Sequence, residues 1–221
     1  MSDDSQKRPS GFSLAVPLLV LLVLVTGVSV LIFKGSSKAT LPGGATEAAP
    51  GAGFYGTLAL PAKRAPAIHL HDYLGNLVTM REQRGKVVFV TFLYTHCPDI
   101  CPLIASNLRV ALNMLGPRAA DVSVIAVSVD PRGDTRAAVA TFLADHGMTG
   151  RMSYLVGTAA ELGRTWKAWG VGAEREAADP SLVAHSALVY GVSASGRLMT
   201  IYPDSFAPSQ IVHDVPLLVA R

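Results

Sequence analysis

Three hydrophobic rhythms divide the chain. Residues 14–33, LAVPLLVLLVLVTGVSVLIF, form an uninterrupted run of 20 uncharged residues, enough helix to cross about 30 Å of hydrocarbon. Residues 34–56, KGSSKATLPGGATEAAPGAGFYG, have no apolar period and little to bury, the composition of a flexible tether. From residue 57 onward, short apolar runs alternate with helical spacings. Residues 57–221 are long enough for one domain with a real core.

Within that domain, residues 68–80 (IHLHDYLGNLVTM) predict a hairpin about a two-residue turn at Gly75-Asn76. Residues 87–94 (VVFVTFLY) are apolar without alternation, as in a central strand buried on both faces. Leu103, Ile104, Leu108, Ala111, Leu112 and Leu115 then recur at helical spacing over residues 102–115, ahead of a stop at Gly116-Pro117. A second buried strand covers 122–130. A helix starting at Asp134 or Thr135 runs to about His146, followed by a strand in MSYLVG and a helix in TAAELGRTWKAWG. Beyond a polar loop, residues 183–192 and 197–202 pair across SASG, and a last helix starts at Pro208, kinked or restarted at Pro216. This order predicts an α/β fold of thioredoxin-like type, a central mixed sheet with helices on both sides. No internal repeat is present.

Composition supports the division. Half the residues are hydrophobic, 16% are charged and the mean hydropathy is +0.36, as expected for a membrane segment joined to a soluble domain. The apolar run exceeds the core of a secretory signal, and KGSSKAT after it is a poor cleavage site. No cysteine follows to carry a lipid. An uncleaved single-pass anchor at 14–33 is therefore expected, behind a cytoplasmic tail at 1–13. Lys7 and Arg8 balance Lys34 and Lys38 across the span, so charge does not orient it. The short tail and large following domain favour an inner-membrane protein with its domain on the periplasmic side. Beyond Thr57 there are 15 Lys and Arg against 13 Asp and Glu with no basic cluster, which gives nucleic-acid binding no support.

The candidate chemistry is concentrated in THCPDICP, residues 95–102. Cys97 and Cys101 are the only two cysteines, and they stand between a buried strand and a helix, where α/β folds collect functional groups. Pro102 suits the first position of a helix, which puts Cys101 at or near the N-cap, where a thiol pKa falls. A structural disulfide would close too short a loop to stabilise much. Thiol–disulfide exchange is open, although thioredoxin-type pairs have two intervening residues and this one has three, with Asp99 adding a negative charge. Metal binding is also open: two thiolates and an imidazole suit soft copper, whereas structural zinc wants four ligands. Of six histidines, His96 points away from its neighbour Cys97. His69 and His71 share a wet hairpin face, and His146 and His213 sit on helices. His185 opens an apolar strand and is either a structural residue or a third ligand.

FLYTHCPDICP (92–102), SVDPRGDT (128–135) and HSALVYGVSASGRL (185–198) resemble, in order and spacing, the Sco/SenC family. The resemblance implies a membrane-anchored, thioredoxin-fold copper chaperone for cytochrome c oxidase assembly. It implies Cys97, Cys101 and His185 as ligands for copper, as Cu(I) and as Cu(II), with Asp130 close behind them. The implied partners are oxidase subunit II and an upstream copper donor or thiol reductant. The chain departs from the family where Gly133 replaces a frequent Arg and Ala184 a frequent acidic residue. The main alternative is a membrane-anchored thiol–disulfide reductase with Cys97 and Cys101 as its redox pair; a thiol peroxidase has only Thr95 in its favour.

Overall fold

The computed structural model describes residues 53–175 and 183–221. The expected tail, span and most of the tether lie outside these residues, as does most of the polar loop after residue 175. No helix among the described residues is long and apolar enough to cross a membrane.

Among the described residues, ten strands and four α-helices follow in order: β1 (Thr57–Arg64), β2 (His69–Asp72), β3 (Leu77–Thr79), β4 (Val87–Leu93), α1 (Ile100–Leu115), β5 (Val122–Ser128), α2 (Arg136–Asp145), β6 (Ser153–Val156), α3 (Ala159–Trp169), β7 (Ala173–Arg175), β8 (Val183–His185), β9 (Leu188–Val192), β10 (Arg197–Pro203) and α4 (Pro208–Val219). A 3-10 turn at Gly116–Asp121 links α1 to β5. Eight strands make one mixed sheet in the order β1-β10-β9-β4-β5-β6-β2-β3. β4, β5 and β6 are parallel, with Val87 opposite Val122 and Ile125 opposite Ser153. β9 runs antiparallel to β4, with Thr91 opposite Val189.

Every residue of β4 is buried, as its unbroken apolar run requires of a strand covered on both faces. Phe92, Trp169 and Tyr190 pack edge to face or tilted, with ring centroids 5.3–6.1 Å apart. Such ring pairs add about 0.5–1.5 kcal/mol each beyond their burial. α1 buries Ile104, Ala105, Leu108, Ala111, Leu112 and Leu115 along one stripe, but Leu103, expected in that stripe, is 44% exposed. Residues three and four apart share a face, and Leu103 falls one step off it.

Other expectations shift in detail. The β2–β3 turn takes four residues rather than two, because the Asp72 carboxylate accepts the N–H groups of Leu74 and Asn76 and holds a wider loop. β1 escaped the pattern: Pro61 falls inside it and its pairing with β10 slips between Leu58 and Lys63, so no clean alternation marks it. α4 continues through Pro216 without interruption. Ahead of β1, the N–H groups of Tyr55 and Gly56 donate to the fully buried Asp214 carboxylate of α4 at 2.8 and 2.9 Å. The Tyr202 hydroxyl donates to the same carboxylate at 2.7 Å. Only glycine fits at 56, since a Cβ there would lie 2.7 Å from the Tyr202 ring.

Candidate metal centre

The site is assembled by the sheet. The parallel pair β4–β5 ends with residues 94–99 and 129–135 side by side, joined by Val129 N–H donating to Leu93 O at 2.9 Å. Because β9 runs antiparallel to β4, the start of β9 lies beside the end of β4. His185, three positions before β9, is thereby carried to the cysteine loop. It is held there by the β7–β8 ribbon, in which Ala173 pairs with His185.

Cys101 is fully buried and Cys97 nearly so; both are free thiols. The helix cap differs from expectation. Asp99, not Cys101, is the N-cap of α1, and its carboxylate accepts the Ile100 N–H at 2.6 Å. Cys101 therefore sits inside the first turn. Its N–H donates to Cys97 Sγ at 3.3 Å, so the helix end serves the other sulfur. The Cys101 thiol and N–H, then the Asp99 backbone and the Tyr94 hydroxyl, hold Cys97 down to about 6. Cys101 moves the opposite way, raised by its bond to Cys97 and by burial. The expectation of a lowered Cys101 is overturned: the anion-stabilising donors converge on Cys97. Asp99 likewise supports that thiolate through its backbone while its carboxylate is spent on the helix end.

His185 Nε2 lies 3.9 Å from Cys101 Sγ. Its Nδ1 is buried without a hydrogen-bond partner among the described residues, and burial lowers the ring's pKa below the ordinary value. A neutral imidazole with an accessible lone pair is the protonation state a metal needs. Tyr94 packs edge-on against this ring, centroids 5.7 Å apart at 83°. Burial raises the Tyr94 hydroxyl to about 12, so it stays a donor beside Cys97. Two sulfurs and one nitrogen thus face one small volume, a donor set that suits soft copper. They are not yet gathered as a finished cluster: among the described residues, no three His, Cys, Asp or Glu side chains stand at coordinating distances. Binding would require the donors to close on the ion.

The other candidates separate. His96 is exposed, with Nδ1 3.2 Å from Thr95 Oγ1. The buried Asp130 carboxylate accepts the Arg132 N–H at 3.1 Å. Its Oδ2 occupies the space a Cβ on Gly133 would need, beside His96 Nδ1. Glycine at 133 therefore leaves the room that the Asp130 carboxylate occupies. The residue that supports the cysteine loop directly is Asp134, which sequence reasoning took only as a helix start. This buried carboxylate accepts Thr95 N–H at 2.8 Å, Ser128 hydroxyl at 2.6 Å and Tyr154 hydroxyl at 2.9 Å. Tyr94 was also missed, hidden as the last apolar residue of a buried run. Of the remaining histidines, His146 Nδ1 lies 2.7 Å from Phe142 O. His213 Nδ1 lies 2.8 Å from Asp214 Oδ1. His69 and His71 are exposed on β2, as expected.

Fold and site define a thioredoxin-like protein with a Cys-x3-Cys pair and a histidine brought in from across the sheet. The SCO1/SenC family model matches residues 60–220, and the chain belongs to that family. It is 29% identical over 152 residues to "Protein SCO2 homolog, mitochondrial" of Danio rerio, covering 66% of this chain and 54% of that one. It is 29% identical over 143 residues to "Protein SenC" of Rhodobacter capsulatus, covering 64% of each. The chain therefore spans less than two thirds of the length of either relative. Among solved structures, Bradyrhizobium japonicum ScoI with copper bound aligns with a TM-score of 0.63 at 28% identity, over 71% of this chain and 99% of that one. Apo Sco1 of Thermus thermophilus aligns with a TM-score of 0.66 at 30% identity, over 76% and 99% respectively.

Proposed function

We propose that this protein is a membrane-anchored copper chaperone, with copper as its cargo. Cys97 and Cys101 as thiolates and His185 as neutral imidazole are the ligands, and the client is the dinuclear copper site of cytochrome c oxidase subunit II. The observation that carries the reading is the approach of His185 Nε2 to within 3.9 Å of Cys101 Sγ across 84 positions of chain, in a family whose Bradyrhizobium member holds copper. Two thiolates favour Cu(I), and three ligands leave the ion open to an incoming client thiolate. Asp134 positions the loop, and Tyr94 donates to Cys97 and packs against His185.

The lowered Cys97 supports a second reading, reduction of client cysteines. There the Cys97 thiolate attacks a client disulfide and releases one client thiolate. Cys101 then gives up its proton and displaces the second client thiolate, so the client gains two electrons and Cys97–Cys101 becomes a disulfide.

Anaerobic Cu(I) titration of reduced residues 53–221 tests the first reading. One equivalent is expected to bind, and Cys97→Ser, Cys101→Ser and His185→Ala should each weaken it by about tenfold or more. Undiminished binding in all three variants would sink the ligand assignment. Loss of disulfide reduction only in the cysteine variants, with full activity in His185→Ala, would favour the second.

A further inference from the structure

We propose that His69 and His71, with Glu161 as a third donor, form a second metal site for a borderline divalent cation such as Cu(II) or Zn(II), separate from the cysteine loop. β2 alternates exposed, buried, exposed over His69, Leu70 and His71. Both imidazoles therefore leave the same outer face while Leu70 enters the core. Residues two apart on a strand stand about 6.6 Å apart, a span that two imidazoles can close onto one ion. The strand is paired on both sides: His69 lies opposite Thr79 and His71 opposite Leu77 of β3, and His71 lies opposite Val156 of β6. The spacing is set by the sheet rather than by a loop.

These two histidines are also the ones left over. His96, His146, His185 and His213 each have a polar partner. Among the described residues, no hydrogen bond or ring contact engages the imidazole of His69 or His71. Both line a cleft of about 470 Å³ together with Glu161 at the start of α3. In the capping box of that helix, Glu161 Oε2 accepts both the N–H and the hydroxyl of Thr158, at 2.8 and 2.7 Å. Oε1 makes no hydrogen bond among the described residues. Thr158 chiefly holds this carboxylate below its usual range, with Arg164 and His71 adding to the effect. Two imidazoles and one carboxylate oxygen are donors that zinc and copper(II) both accept; among the described residues these three side chains do not already stand at coordinating distances, so an ion would draw the two exposed imidazoles toward Glu161.

Asp72 lies in the same cleft but is committed to its turn. Arg136 also lines the cleft, and its charge limits affinity without blocking the imidazoles. β2 lies three strands from β4 in the sheet order, about 14 Å away at ordinary strand spacing, so one ion cannot bridge this pair and the cysteine loop. The site does not depend on the copper reading above.

The test uses the untagged full chain carrying Cys97→Ser and Cys101→Ser, titrated with Cu(II) and followed by electron paramagnetic resonance. One equivalent should bind with hyperfine structure from two nitrogens. His69→Asn or His71→Asn should each weaken binding by about tenfold or more, because the surviving imidazole loses its chelate partner. Glu161→Gln, which keeps the capping oxygen, should weaken it less and leave the two-nitrogen signature. Both histidines are exposed, so melting temperatures should not move. Absence of binding in the parent, or equally tight binding in the His69→Asn/His71→Asn protein, overturns the proposal.

Discussion

At the scale of single residues, the two thiols are unequal. Cys97 collects donors from the Cys101 thiol, the N–H groups of Cys101 and Asp99, and the Tyr94 hydroxyl, whereas Cys101 is fully buried against it. One proton shared between them therefore resides on Cys101, and Cys97 carries the charge. In the reduced, metal-free protein, iodoacetamide should modify Cys97 before Cys101. Its rate should rise as pH climbs through about 6, rather than through the ordinary thiol value of about 8.5. Peptide mapping across a pH series checks this. A midpoint near 8.5, or first modification at Cys101, contradicts the asymmetry. Cysteine spacing announced the pair, but not which sulfur is the anion. That depends on where the backbone N–H groups of the first helical turn point.

At the scale of elements, Asp134 joins three of them: the end of β5 through Ser128, β6 through Tyr154, and the cysteine loop through the Thr95 N–H. Asp134→Ala leaves two buried hydroxyls and the part-buried Thr95 N–H without their acceptor, and should cost about 3 kcal/mol of stability by urea denaturation. Burial raises the Asp134 carboxyl above its usual range, so the folded protein holds that proton more tightly than the unfolded chain does. Its contribution is fully present below the unfolded value of about 3.9 and is lost as pH rises through the folded one. Asp134→Asn should remove that pH dependence; a stability profile unchanged from the parent protein would contradict it. The helices of this domain were legible because their stripes and caps are local, as in the Thr158–Glu161 capping box and the Gly170 stop of α3. β1 and the β7–β8 ribbon were not, because strands so short or interrupted take their definition from a partner distant in sequence.

At the scale of the whole molecule, the span proposed at 14–33 and the tether after it would hold the thioredoxin-like domain at a membrane while letting it search for a client. The full chain is expected to stay with membranes after alkaline carbonate extraction. Protease added from the exported side should release a fragment beginning within residues 34–52, because Tyr55 and Gly56 are already bonded to Asp214. Extraction into the soluble fraction, or protection of the domain from that side, would contradict the anchor and its orientation.

The sequence by itself determined the helices and the central strands, the buried β4, the placement of both cysteines at a strand-to-helix junction and the family. Each of these is written in local spacing or in a motif of neighbouring residues. Only the tertiary structure decided that His185 reaches Cys101, that Asp134 supports the loop, and that Cys97 is the lowered thiol. The antiparallel register of β9 on β4 accounts for the first, since it folds 84 positions of chain into a 3.9 Å approach. Burial and the direction of individual N–H and O–H bonds account for the other two, and neither is set until the chain has closed on itself.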